Sequence, residues 1–349
     1  MTKLEKFQTI LTLLKSLSAD YIDRLISILS NEQLVNPKSV LDYVNNERFA
    51  EGWVCPVCES KHIVRNGHRP KNNAQRFLCR DCGKSFTANT NSISSGTRKN
   101  MLVWKKYIEC MMNGFSVRKT AQICEIHRNT AFAWRHKVLD ALQFMQNDVS
   151  LSGIVEADET FFPVSYKGNH KNSKTFVMPR EPHHRGHSIK KKGLSDEQVC
   201  VPCAVNRKGK SIAKVGKLGK VSFNCIDIIL GNQIISNSTL CTDKEQAYRK
   251  FSREHNLQLI QLETGKSKRG IYNIQHINSY HSILKSFMYG FKGVSTKYLN
   301  NYLVWNNLVN YADETYKEKM SIFLSYVMCK SIKIRYKDIP KRPPLPVVV

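Results

Sequence analysis

The run "GIVEADETFF", residues 153–162, decides how the larger part of the chain is read. Its β-branched and aromatic residues follow a glycine and predict a strand that carries Asp158 towards its end. Three further runs read the same way: "QVCVPCAVNR" (198–207), "STLCTD" (238–243) and "LQLIQLE" (257–263), with helical stretches between them. Strands alternating with helices predict an α/β domain beginning near residue 150. Asp243 closes the "STLCTD" strand. Two strand-end carboxylates on neighbouring strands are how a nuclease-type fold holds Mg²⁺ for phosphoryl transfer. Asp is also common at strand ends as a turn or helix-cap residue, so the pair alone leaves both readings open. Glu159, next to Asp158, should point to the opposite face of the sheet.

The charge balance narrows the partner. There are 54 Lys+Arg against 28 Asp+Glu in 349 residues, a formal net charge of +26. An excess of that size is self-repelling, and a polyanion is its usual counterpart: nucleic acid first, an anionic membrane surface second. No window approaches the roughly 20 apolar residues of a membrane span. The N-terminus has no signal-peptide pattern, and eleven cysteines, an odd number, point to a reducing compartment. A cytoplasmic, nucleoid-associated protein of bacterial or archaeal type, not secreted and not membrane-bound, is expected.

Residues 1–48 carry helical apolar spacing and predict a helical N-terminal segment, with Asp20 and Ser39 as helix caps. In residues 49–92, "CPVC" at Cys55 and Cys58 is followed after twenty residues by "CRDC" at Cys79 and Cys82. Two such knuckles present four thiolates to one tetrahedral Zn²⁺, with Gly83 suited to the tight turn after the second. Lys and Arg within the ribbon suit phosphate contact as a second role. Cys200 and Cys203, offset by three in a strand, should face opposite ways and hold no metal together.

Residues 98–146 have the grammar of a helix-turn-helix. Gly114 ends one helix, Ser116 caps a short second one, and a break at Glu125–Ile126 leads into a third. The early positions of that third helix, Arg128, Asn129, Thr130 and Arg135, are expected to be exposed and to reach base edges and phosphates. Any three-helix bundle has the same apolar spacing, and the basic ribbon beside it favours the DNA-binding reading. The final "KDIPKRPPLPVVV" (337–349) holds four prolines and predicts an extended or disordered tail after a C-terminal helix, together spanning 317–349.

Over roughly residues 50–315 the chain resembles insertion-sequence transposases of the zinc-ribbon DDE type, the ISXO-like group or family fifteen-ninety-five. The resemblance rests on the "CPVC…CRDC" ribbon, "VEADETFF", "KKKGLSDEQVCVPCAVNR", "CTD" and, above all, "INSYHSILKSFMYGFKGVSTKYLNNYLVW" (277–305). It implies a multidomain α+β protein with an RNase H-like α/β/α domain, built on a mixed sheet, over 150–316, binding to terminal inverted repeats, and metal-dependent strand cleavage and transfer. It also implies Mg²⁺ or Mn²⁺, two ions, as cofactor. Double-stranded DNA, as transposon ends and target, is the implied partner, with a homo-oligomer forming on it.

By the resemblance, Asp158 matches the first catalytic acid, Asp243 the second, and Lys285 the lysine seven residues past the third position. That third position, Glu in many members, falls on Asn278, with 34 residues between it and Asp243. From 264 to 312 there is no Asp or Glu at all, so no small shift of alignment recovers an acid. His281, one turn away, is the other helical candidate; an amide carbonyl is the better ligand for a hard cation. The site therefore reads as Asp-Asp-Asn, with His281 open as ligand, phosphate contact or packing residue. The cationic stretch 167–192, ending in Lys190, Lys191 and Lys192, suits a DNA backbone or a solvated insertion. Two rival functions stay in play. One is a transposase-derived zinc-ribbon regulator that has lost catalysis, and the other is a structure-selective nuclease of the same fold.

Overall fold

The computed structural model describes residues 9, 12, 18, 37–70, 73–168, 177–179, 195–263, 268–312 and 314–346. They fall into two compact units: residues 1–128 with 314–333, and residues 129–313 with 334–349. Most of the N-terminal segment, Asp20 included, and the Lys190, Lys191 and Lys192 cluster lie outside the described residues.

In the first unit, helix α1 spans Pro37–Arg48. It begins ahead of Ser39, the expected cap, because Pro37 supplies a first-turn φ at no cost in hydrogen bonds. The ribbon follows as β1 (Ile63–His68), β2 (Gln75–Cys79) and β3 (Ser85–Phe86), an antiparallel sheet in that order. Its core is small: Phe77 and Phe86 stack at 5.6 Å, and Phe49 and Trp53 meet Phe77 edge-on. Helices α2 (Met101–Met112) and α3 (Val117–Ile123) come next. Asn100 and Ser116 cap them, each accepting a backbone N–H three residues on, and Gly114 at φ +64° ends the turn after α2. The chain re-enters this unit late, where α1 packs against the segment after Leu324, and Arg48 donates to the Cys329 carbonyl at 2.7 Å.

The second unit begins with α4 (Arg128–Asn147), whose first residue closes the first unit. Its sheet uses β4 (Ile154–Pro163), β5 (Gln198–Asn206), β6 (Ser211–Ala213), β7 (Thr239–Thr242) and β8 (Gln258–Gln261), ordered β6-β5-β4-β7-β8. The first three form an antiparallel meander, and β4, β7 and β8 run parallel. Helices α5 (Phe223–Leu230) and α6 (Ala247–Glu254) cover one face; Ile226, Tyr248 and Phe251 pack there on Val155, Ala157 and Leu240. On the other face lie α7 (Gln275–Gly290), against β4 and β5, and α8 (Leu299–Asn310), against β6 and α7. A short hairpin, β9 (Lys268–Arg269) with β10 (Tyr272–Asn273), leads into α7.

Two expectations change here. The proline-rich tail packs where described: Ile339 is buried, and Arg342 ion-pairs with Asp140 of α4 and lies over Tyr298. Arg135 is also not on a recognition face. It is 1% exposed, with its guanidinium 4.8 Å from the centre of the Trp305 ring. The planar cation stacks on an indole inside the unit, where α4 turns its apolar face to α8. Arg128 and Asn129 are exposed and Thr130 half-exposed. In the first unit, α9 (Tyr316–Leu324) starts with a capping box between Thr315 and Glu318.

Candidate active site and zinc ribbon

The ribbon cysteines meet as their spacing requires. All four sulfur atoms lie within 4.8 Å of one another, with Cys55–Cys82 at 3.7 Å and Cys58–Cys79 at 3.6 Å. The two knuckles repeat one geometry. Cys55 N–H donates to Ser60 O and Glu59 N–H to Cys55 O; Cys79 N–H donates to Lys84 O and Gly83 N–H to Cys79 O. Each turn needs a residue at positive φ, supplied by Glu59 at 61° and Gly83 at 66°. Four soft thiolate donors closing on one point fit Zn²⁺, and the site is a structural zinc ribbon.

The acidic site is assembled from distant segments. Strand β4 pairs with β7 at Glu156↔Cys241, and continuing that parallel register puts Asp158 beside Asp243, just past the end of β7. Asp158 is not at the end of its own strand; β4 runs on to Pro163 against β5. It is just past the end of the parallel pairing, level with the exposed Asp243. The Asp158 Oδ1 accepts the Glu159 N–H at 2.9 Å, and its Oδ2 faces His281 Nδ1 at 3.8 Å. Burial, aided by the like charge of Asp243 and opposed by the Glu159 N–H and Lys285, pushes the Asp158 carboxyl up to about 6. Asp243 is exposed, and its carboxylate accepts the Glu245 N–H at 3.0 Å.

Glu159 lies on the other face, as alternation predicts. Tyr248 on α6 donates its hydroxyl to Glu159 Oε1 at 2.6 Å, and burial with three nearby acids raises that carboxyl to about 8. Cys200 joins the α5 side of the core, while Cys203, paired with Asp158, faces the α7 side.

Helix α7 brings His281 over Asp158. His281 is 8% exposed; burial, then Lys285, lowers its pKa to about 4, so the ring is neutral at pH 7. Its Nε2 is buried with no hydrogen-bond partner among the described residues. That placement removes His281 from the surface where a phosphate would contact it. Asn278 and Lys285 are exposed on the same helix, one turn to either side of His281. Among the described residues, the four ribbon cysteines are the one group of three or more His, Cys, Asp or Glu ligand atoms within 4.8 Å of each other. Asp158 and Asp243 therefore form no such group with a third acid or histidine, although His281 Nδ1 lies 3.8 Å from Asp158 Oδ2. Two carboxylates, one pushed towards neutrality chiefly by its burial and the other exposed, offer oxygen ligands of the kind a divalent cation takes.

A residue the sequence reading passed over also belongs here. Glu156, two residues before Asp158 on the same strand face, is fully buried and accepts the backbone N–H groups of His276 and Ile277 at 2.8 and 3.1 Å. Its other oxygen meets His276 Nδ1 and the Arg207 guanidinium, both at 2.9 Å. The signal was present in the alternation of "VEADE": an acid sharing the face of Asp158.

Comparison with known proteins agrees with this layout. Residues 150–305 match the ISXO2-like transposase domain, and residues 53–83 match the zinc-ribbon InsA N-terminal domain. An uncharacterised protein of the transposable element ISH50 from Halobacterium salinarum is 22% identical over 264 residues, covering 73% of this chain and 84% of its own length. Among solved structures, a chain of the simian T-cell lymphotropic virus intasome aligns at 10% identity and TM-score 0.27, over 58% of each chain. The pre-cleavage Mos1 transpososome aligns at 9% identity and TM-score 0.21, over 65% of this chain and 78% of that one. Among the described residues no helix is long and apolar enough to cross a membrane. The ribbon lies inside one matched segment and Asp158 and Asp243 inside the other, so the chain carries an InsA-type zinc ribbon over residues 53–83 and an ISXO2-like transposase domain over residues 150–305.

Proposed function

We propose that this transposase binds the terminal inverted repeats of its element as double-stranded DNA, and cleaves and joins strands at a site made by Asp158, Asp243 and Asn278. The observation that carries the reading is the register of β4 on β7, which sets the two aspartates side by side under α7. The strand order β6-β5-β4-β7-β8, with helices on both faces, supports an RNase H-like domain. Asp158, Asp243 and the Asn278 amide oxygen would hold Mg²⁺ or Mn²⁺, which supplies charge neutralisation at the attacking and leaving oxygens.

In the first step a water oxygen bonds to phosphorus at the transposon end, and the bond from phosphorus to the 3′ oxygen breaks, leaving a 3′-hydroxyl. In the second, that hydroxyl attacks a target phosphodiester and displaces another 3′ oxygen. Asn278 has no proton to exchange, so proton removal falls to an aspartate or a substrate phosphate oxygen. Lys285, exposed near Asp158, is placed to hold a neighbouring phosphate. His281 backs Asp158 from inside the fold. The exposed Arg128 and Asn129 and the half-exposed Thr130 at the start of α4 support duplex binding by residues 98–146, read from their sequence as a helix-turn-helix, and the Lys and Arg of the ribbon suit phosphate contact of their own. Two ends must be brought together, so the working form is a homo-oligomer on DNA.

The test is nicking and strand transfer on a duplex carrying the repeat that flanks the gene, with Asp158, Asp243, Asn278 and His281 each replaced by Ala. Metal-dependent nicking lost in the two aspartate variants and in Asn278→Ala supports the site. Wild-type transfer by Asn278→Ala removes Asn278 from it. Tight binding with no nicking by the unmodified chain would favour a regulator instead.

A further inference from the structure

The first N–H groups of a helix have no partner within the helix and must find one elsewhere. The start of α7 has little of its own to offer: its N-cap residue is Ile274, with no side-chain cap, and its first turn carries no acid. Asn273 accepts the Gln275 N–H at 3.1 Å, and the next two N–H groups, of His276 and Ile277, both go to Glu156 Oε2. A buried charge persists only where it is fully hydrogen-bonded and paired, and Glu156 meets that condition with Arg207 and His276 on Oε1. The cap of α7 is thus a carboxylate on another element, the strand that carries Asp158.

We propose that Glu156 is a positioning residue for the metal site, locking the first turn of α7 to β4 so that Asn278 stands at a fixed distance from Asp158. Glu156 and Asp158 share one strand face, about 7 Å apart along β4. On α7 the clamp holds Ile277, whose neighbour is Asn278. Any slide of the helix along the sheet would move Asn278 away from Asp158 by about 1.5 Å per residue of slip. An Asn is one methylene shorter than Glu and its oxygen carries no full charge. It has less reach and less attraction with which to correct a misplaced helix, so the Asp-Asp-Asn site depends on the clamp. The inference rests on the proposed site, and Arg207, partly exposed at the end of β5, completes the clamp by holding the second carboxylate oxygen.

The test uses the full-length chain with Glu156→Gln and Glu156→Asp. Glu156→Gln keeps the shape but loses the charge and one acceptor; Glu156→Asp keeps the charge but is too short to reach both N–H groups. Both variants should need about tenfold more Mn²⁺ for half-maximal nicking, the effect typical of groups that orient metal ligands. Affinity for the flanking-repeat duplex without metal should not change. Electron paramagnetic resonance of Mn²⁺ on the duplex-bound chain, above the Asp158→Ala background, should show the same shift. Amide exchange at His276 and Ile277 should accelerate while the β4 amides stay protected. Unchanged Mn²⁺ half-saturation in a folded variant overturns the proposal, even if its melting temperature falls. If Glu156→Gln does not fold, Glu156→Asp decides. If the unmodified chain does not nick, the proposed function fails, whereas the exchange and resonance measurements still judge the clamp.

Discussion

The zinc ribbon and the acidic site hold their ligands in opposite ways. In the ribbon, two local knuckles of the same design deliver four identical donors, and each knuckle sets its own cysteines through backbone hydrogen bonds. At the acidic site, a mid-strand residue, a residue just past a strand end and a helix come from far apart in the chain and are aligned by sheet register and by Glu156. A ribbon is therefore vulnerable at its ligands, and the acidic site is also vulnerable at residues that touch no substrate.

The largest effect should come from Asp158→Ala or Asp243→Ala, which lowers nicking by about a thousandfold in a gel assay while duplex affinity and melting remain near wild type. Stripping zinc, or Cys79→Ser, should unfold the ribbon, because structural zinc contributes about 10–16 kcal/mol of binding energy that is also folding energy. Metal analysis should show one zinc per chain before stripping, and circular dichroism should show the sheet of the second unit intact afterwards. Asn278→Asp should retain part of the strand transfer that Asn278→Ala loses, which sharpens the contrast between an oxygen donor and none.

Four smaller tests probe the helices and the turns. Arg135→Ala should destabilise the second unit by about 2–3 kcal/mol in urea melts, since it removes buried packing on Trp305. Arg128→Ala should leave stability alone and reduce the salt slope of duplex binding by about one. The smallest effect belongs to the knuckles. Gly83→Ala should cost about 1 kcal/mol at its positive φ, and Glu59→Gly should be neutral or stabilising at the equivalent turn.

Much of this was legible in the residues. The Cys-x-x-Cys pairs named the ribbon, turn residues and caps named α2 and α3, and alternation in "VEADETFF" sent Asp158 and Glu159 to opposite faces. Arg135 shows where periodicity misleads. Its charge predicted exposure, yet a guanidinium can be buried on an aromatic face, and only the packing of α4 on α8 reveals that one is available. The tail misled for the converse reason: closely spaced prolines disfavour helix interiors and sheet ladders but do not prevent docking, and Arg342 finds Asp140.

The sequence by itself determined the donor types and their local geometry, because spacing within a knuckle, a cap or a strand acts over a few bonds. It also determined that residues 264–312 contain no Asp or Glu. Only the tertiary structure decided that Asp158 and Asp243 lie level, that His281 is buried against Asp158, and that Glu156 caps α7. Those facts depend on strand register and helix docking, which long-range burial sets and no short run of residues records.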